Sequence, residues 1–138
     1  MAHDHSVPAD LTRNQGLVLG TLNASPAPLS AYDILDKLRG DGLRAPLQVY
    51  RALDKLVERG LAHRLESLNA FVACADEHCH LKGLIAFAIC ENCGRVDEFA
   101  DAVIEDRLGA WAANKGFKVE RTTMEIRGKC ADCAGLAA

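Results

Sequence analysis

RAPLQVYRALDKLVERGLAHRLESLNAFVAC, residues 44–74, is the stretch whose reading decides the fold. Arg44-Ala45-Pro46 starts a helix, because the fixed φ of proline suits a first turn where its missing N–H is not needed. Val49, Leu53, Leu56 and Val57 recur at helical spacing as a buried stripe, and Gly60 ends the helix. Gln48, Tyr50, Arg51 and Lys55 fall outside that stripe, toward the N-terminal end, where they can meet another molecule. Residues 61–65 and 70–74 then read as two short strands joined around Ser67-Leu68-Asn69, a hairpin.

On the N-terminal side, residues 1–9 read as a flexible tail, with His3 and His5 as tail residues rather than ligands. Residues 10–23 carry Leu11, Val18, Leu19 and Leu22 and read as a first helix, although Gly16 and Gly20 weaken it. Residues 24–28, with Pro26 and Pro28, break it. Ser30-Ala31-Tyr32-Asp33 is a capping-box pattern, Ala31, Ile34, Leu35 and Leu38 follow at helical spacing, and Gly40 is expected to stop that second helix. Three helices followed by a hairpin make a winged helix-turn-helix, whose third helix enters the major groove of DNA. The simpler alternative is a three-helix domain with a solvated charged face.

Charge favours the first of these. The chain has a formal net charge of -3, which by itself argues against nucleic acid. Yet Lys37, Arg39, Arg44, Arg51, Lys55, Arg59 and Arg64 face only Asp41, Asp54 and Glu58 over residues 37–64, a local excess of +4 (seven minus three). A basic half joined to an acidic half suits a protein whose one end meets phosphate.

The second half is organised by cysteines. Cys90-Glu91-Asn92-Cys93 and, 36 residues further on, Cys130-Ala131-Asp132-Cys133 are two Cys-x-x-Cys knuckles. Together they offer the four sulfurs of a tetrahedral structural zinc site. Residues 84–89 form an apolar strand into the first knuckle, and residues 95–99 a second strand. Asp101 caps a helix with Ile104, Leu108 and Trp111 on one face, and Asn114-Lys115-Gly116 ends it. Phe117 and Val119 alternate in one phase and Met124 and Ile126 in the other, so a third strand with a bulge near residues 120–122 is expected. So small a sheet cannot cover its own faces and edges, which predicts pairing with a second copy. The fold class is therefore α+β: a winged-helix domain at residues 10–75, a hinge loop at 76–83, and a small α/β dimerisation domain with a four-cysteine zinc site at 84–138.

Composition excludes other classes. About half of the 138 residues are hydrophobic and 25% are charged, ordinary for a soluble protein. No apolar run nears the roughly 18 residues of a membrane span, and residues 1–8 lack a signal core, so the expected location is the cytoplasm. Thiols there stay reduced and favour metal over disulfides.

Val49-Tyr50-Arg51-Ala52-Leu53, the wing at residues 65–71 and Ile89-Cys90-Glu91-Asn92-Cys93-Gly94 together resemble the ferric uptake regulator superfamily, over roughly residues 10–134. The wing and hinge are most similar to its zinc uptake regulator branch. The resemblance implies a dimeric, metal-dependent repressor with structural zinc on Cys90, Cys93, Cys130 and Cys133. It implies a regulatory zinc on His63, Cys74, His80 and Glu98, with His78 and Cys79 as alternates to His80. The partners implied are double-stranded DNA and a second copy, with neither membrane nor small-molecule substrate.

Members often carry Pro-x-Arg after the threonine of the first helix. Leu11-Thr12-Arg13-Asn14-Gln15 lacks it at those places, so the minor-groove arginine is missing or shifted to Arg13. Gln48 stands where Ser or Thr is usual. Phe87 stands within the histidine cluster of iron- and peroxide-sensing relatives, which favours zinc, and Thr122 stands where a third metal site has a histidine. On the DNA side, Arg44, Arg51 and Lys55 are expected on phosphate, Tyr50 on a thymine methyl and Gln48 on adenine.

Three rivals remain. A thiol oxidoreductase would use one exposed Cys-x-x-Cys at a helix N-terminus, not two beside strands, so the protein is not expected to be an enzyme. A zinc-ribbon protein-interaction module leaves the basic third helix without a purpose. A sensor of iron, manganese or peroxide stays within the family.

Overall fold

A computed structural model describes residues 8–75, 84–120 and 122–135. The tail histidines His3 and His5, and His78, Cys79 and His80, lie outside the described residues. The chain divides into two compact units, Met1–Glu77 and His78–Ala138.

In the first unit α1 (Arg13–Ala24), α2 (Ala31–Leu38), a 3-10 turn (Arg39–Asp41) and α3 (Pro46–Glu58) precede β1 (Ala62–Leu65) and β2 (Ala70–Ala73). Helix α1 starts at a capping box that its apolar spacing does not announce: the Gln15 backbone N–H donates to Thr12 Oγ1, and Gln15 Oε1 accepts from the Thr12 N–H, both at 3.2 Å. Ser30 and Asp33 form the expected box on α2, with both bonds at 3.1 Å. That helix is not stopped by Gly40. The chain tightens into the 3-10 turn instead and reverses at Gly42, whose φ of 96° only glycine adopts cheaply.

Val18, Leu19, Leu22, Ile34, Leu35, Leu38, Val49, Leu53 and Leu56 interlock as one core. In α3 the buried side is Val49, Ala52, Leu53 and Leu56, with Val57 packed at its margin. Strands β1 and β2 pair antiparallel, with His63 opposite Val72. Asn69, at φ 48°, turns the hairpin in the left-handed conformation that asparagine tolerates. Leu29 adds an antiparallel bridge to Phe71, with bonds of 3.0 and 2.8 Å, and so lays the α1–α2 connection beside the wing.

The second unit holds β3 (Leu84–Cys90), β4 (Val96–Phe99), α4 (Ala102–Lys115), β5 (Thr122–Gly128) and the short α5 (Ala131–Ala134). The sheet order is β4-β3-β5, with β4 antiparallel and β5 parallel to the central strand. A parallel neighbour needs a crossover, and α4 supplies it. Asp101 caps that helix by accepting from the Val103 and Ile104 N–H groups at 2.9 and 3.1 Å.

The expected third strand is shorter than the alternation suggested. Phe117 and Val119 lie outside it, in the connection, and β5 begins at Thr122. Among the described residues, the change of phase falls at the start of the strand. Phe117 turns back onto Trp111 of α4, ring centroids 5.9 Å apart.

Candidate metal centres and nucleic-acid face

Parallel pairing decides where the knuckles meet. Cys90 is the last residue of β3 and stands opposite Gly128 near the end of β5, so Cys130 arrives two residues later at the same end of the sheet. The first knuckle is a tight turn. The Gly94 N–H donates to the Cys90 carbonyl at 3.0 Å, with Gly94 at φ 81°, and the Cys90 N–H donates to the Arg95 carbonyl at 2.8 Å. The second knuckle opens α5, where the Ala134 N–H reaches the Cys130 carbonyl at 2.8 Å.

The sulfurs of Cys90, Cys93, Cys130 and Cys133 all lie within 4.8 Å of one another. Cys93 Sγ and Cys130 Sγ are 3.7 Å apart. A tetrahedron with Zn–S bonds of about 2.3 Å has edges of about 3.8 Å, so the donor set already has the size of a zinc site. Its electrostatics agree. The Cys90 thiol is lowered to about 6, first by a backbone hydrogen bond from Cys130 and then by one from Cys93, against the opposing effect of burial. Cys93 is raised to about 11: a backbone bond from Arg95 lowers it, but the Cys90 sulfur, burial and the other two sulfurs outweigh that. Cys133 is also raised, since Cys130 and Cys90 outweigh the lowering bond from Asn92. Four sulfurs this close cannot all ionise unless a cation neutralises them.

In the first unit, His63 and Cys74 flank the base of the wing. His63 lies on β1 and is 7% exposed. Cys74 follows β2, its N–H bonded to the Leu61 carbonyl at 2.9 Å. Their ligand atoms lie within 4.8 Å of each other. Cys74 is disulfide-bonded in this structure. Zinc takes the thiolate, so metal binding here belongs to the reduced protein. Glu98 sits on β4 of the second unit, opposite Phe87 of β3.

The expected DNA-facing residues are distributed as follows. Arg44, Tyr50, Arg51 and Lys55 are exposed on α3 or just before it. Lys55 also meets Glu58 at 3.3 Å, a solvated pair of little energetic weight. Gln48 has a structural role besides the expected one. Its Oε1 accepts from both the Arg44 and Ala45 N–H groups, at 2.9 and 3.1 Å, and so caps α3. A bidentate pair with adenine would use that same oxygen, and forming it would give up these two bonds. Arg13 donates from Nη2 to the Asp41 carbonyl at 2.7 Å, tying α1 to the turn after α2. On the wing, Arg64 reaches Asn69 Oδ1 at 3.2 Å and braces the hairpin.

Comparison with known proteins gives consistent matches. The sequence profile of the Ferric uptake regulator family matches residues 10–127. The zinc uptake regulation protein of Escherichia coli (strain K12) is 37% identical over 131 residues, which span 93% of this chain and 75% of that protein. The crystal structure of holo XcZur superposes with a TM-score of 0.81 at 38% identity, covering 91% of this chain and 86% of that one. A zinc uptake regulator complexed with zinc and DNA gives 0.83 at 36% identity, covering 91% and 84%.

Proposed function

The chain belongs to the ferric uptake regulator family, and from that premise we propose that it is a zinc-responsive transcriptional repressor. A homodimer binds a palindromic operator when zinc occupies a regulatory site made by His63, Cys74, Glu98 and a hinge histidine, His80 in the first instance. The relatives matched over nearly the whole chain regulate zinc uptake, and one is a complex with zinc and DNA. The protein is a regulator, not an enzyme, and no catalytic residue is assigned to it.

The observation that carries the zinc assignment is the His63–Cys74 pair. An imidazole nitrogen and a sulfur within 4.8 Å, beside the wing, form half of a tetrahedral zinc donor set. A thiolate favours zinc over harder metals such as manganese. Adding Glu98 and a hinge histidine would draw ligands from both units, so that one ion restrains the hinge and selects a spacing of the two recognition helices. Half-sites one helical turn apart lie roughly 34 Å from each other. Moving from mostly inactive to mostly active takes about 5.5 kcal/mol of differential binding, well within the roughly 10 kcal/mol or more that a zinc site supplies.

Dimerisation is supported by what the second unit leaves uncovered: Val103, Leu108, Trp111, Phe117, Val119 and Ile126 are all exposed in the single chain. Among the described residues, no helix is long and apolar enough to cross a membrane. We place the protein in the cytoplasm, where operator DNA and reduced thiols coexist.

The test is Cys74→Ser under reducing conditions at buffered zinc. Zinc-dependent retention of a palindromic duplex should fall at least tenfold while sedimentation still gives a dimer holding zinc on its four knuckle cysteines. Tight, still zinc-dependent binding by the variant would overturn the regulatory assignment.

A further inference from the structure

We propose that Leu47 reads DNA sequence by seating its side chain against a thymine methyl in the major groove. The proposal rests on the regulator reading above and adds a base-reading residue to it.

Leu47 lies in the first turn of α3, directly after Pro46. It is 57% exposed and takes no part in the core formed by Val49, Ala52, Leu53 and Leu56 on the opposite side of the helix. A lone exposed leucine is ordinary. This one sits beside a polar neighbour whose oxygen is engaged within the chain. The next residue, Gln48, has both lone pairs of Oε1 committed to the Arg44 and Ala45 N–H groups. Beside Gln48, itself exposed but with its oxygen turned back, the exposed side chains of the reading turn are Leu47, Tyr50 and Arg51, which share one face at i, i+3 and i+4. Tyr50 is 37% exposed, so two apolar bodies stand side by side there.

Charge decides what they meet. Leu47 is flanked in sequence by Arg44 and Arg51, and residues 37–64 carry an excess of +4 (seven basic, three acidic). Such a frame suits a polyanion better than an apolar protein face. Within the major groove, the C5-methyl of thymine is the apolar group that base edges present. An aliphatic side chain held by phosphate contacts on either side thus distinguishes thymine from cytosine without a hydrogen bond.

The experiment starts from a random-sequence duplex library, from which zinc-loaded wild-type protein and Leu47→Ala protein each select binding sites. The best wild-type duplex is then remade with deoxyuridine for thymidine, one position at a time, which removes only the methyl. Wild type should lose about fourfold in affinity at one symmetric thymine position, the value of one buried methyl. Leu47→Ala should lose its preference for thymine at that position and become insensitive to the uracil change there. Leu47→Met should keep the sensitivity. If Leu47→Ala selects the same sites and suffers the same uracil penalty at every position, the proposal is overturned. It is equally overturned if the variant is weaker by one constant factor on thymine and uracil duplexes alike, since Leu47 then touches something other than the methyl. Should no duplex be retained by wild type with zinc, the regulator reading itself fails, an outcome distinct from both.

Discussion

Four sulfurs packed within 4.8 Å share charge in a way that makes their protons part of metal binding. Cys90, lowered to about 6, is ionised at neutral pH, whereas Cys93, raised to about 11, still holds its proton, and Cys133 is raised as well. Zinc binds thiolates, so uptake at pH 7 must expel the protons of at least Cys93 and Cys133. The sign follows: affinity rises with pH while those thiols are protonated in the metal-free form, and falls further below about pH 6, where Cys90 takes up its proton too. Titration of metal-free protein with zinc in weak buffer should release two or more protons per ion at pH 7. Release of none would mean the thiols are already ionised. Single residues also mark the limit of sequence reading at the site. The knuckles were legible because their spacing is itself the chemistry. The capping role of Gln48 was not, since nothing in a glutamine before Val-Tyr-Arg announces that its oxygen turns back onto the Arg44 and Ala45 N–H groups.

At the scale of elements, the caps and stops carried most of the readable signal. The Ser30–Asp33 box, Gly60 after α3 and Asp101 before α4 each announced a helix end by local chemistry. What escaped was non-local. Nothing in Leu29 announces its bridge to Phe71, because pairing between distant segments leaves no periodicity in either. Phe117 and Val119 alternate as a strand would, yet an aromatic contact with Trp111 holds Phe117 in the connection. The α3 start shows how much one cap weighs. Ala45, at the N-cap position, has no side-chain acceptor for the first-turn N–H groups, and Gln48 provides the other half of a capping box, its Oε1 accepting from the N–H groups of Ala45 and of Arg44 before it. Gln48→Ala should therefore cost about 1 kcal/mol in urea denaturation of the zinc-loaded protein. It should leave adenine preference in the selected duplexes unchanged. A loss of preference with unaltered stability would return Gln48 to the base-reading set.

For the whole molecule, the proposed dimer asks the most of surfaces that a single chain leaves bare. Trp111 at 56%, Phe117 at 60% and Ile126 at 49% exposure gather large apolar groups on α4, its following connection and β5. Replacing Trp111 or Ile126 by a charge, as in Trp111→Glu or Ile126→Asp, should shift sedimentation toward the monomer at micromolar concentration. Affinity for a two-half-site duplex should fall at least a hundredfold, because the two contacts no longer share one body. Unchanged sedimentation of both variants would move the interface elsewhere.

The parallel run of β3 and β5 also means that both knuckles close a single loop through β4 and α4. Metal across that loop acts as a fastener between two parts of one polypeptide. A protease that nicked the connection between α4 and β5 would then cut the backbone without parting the pieces. The clipped protein would run as two fragments on a denaturing gel yet travel as one body in solution, until a chelator let them go.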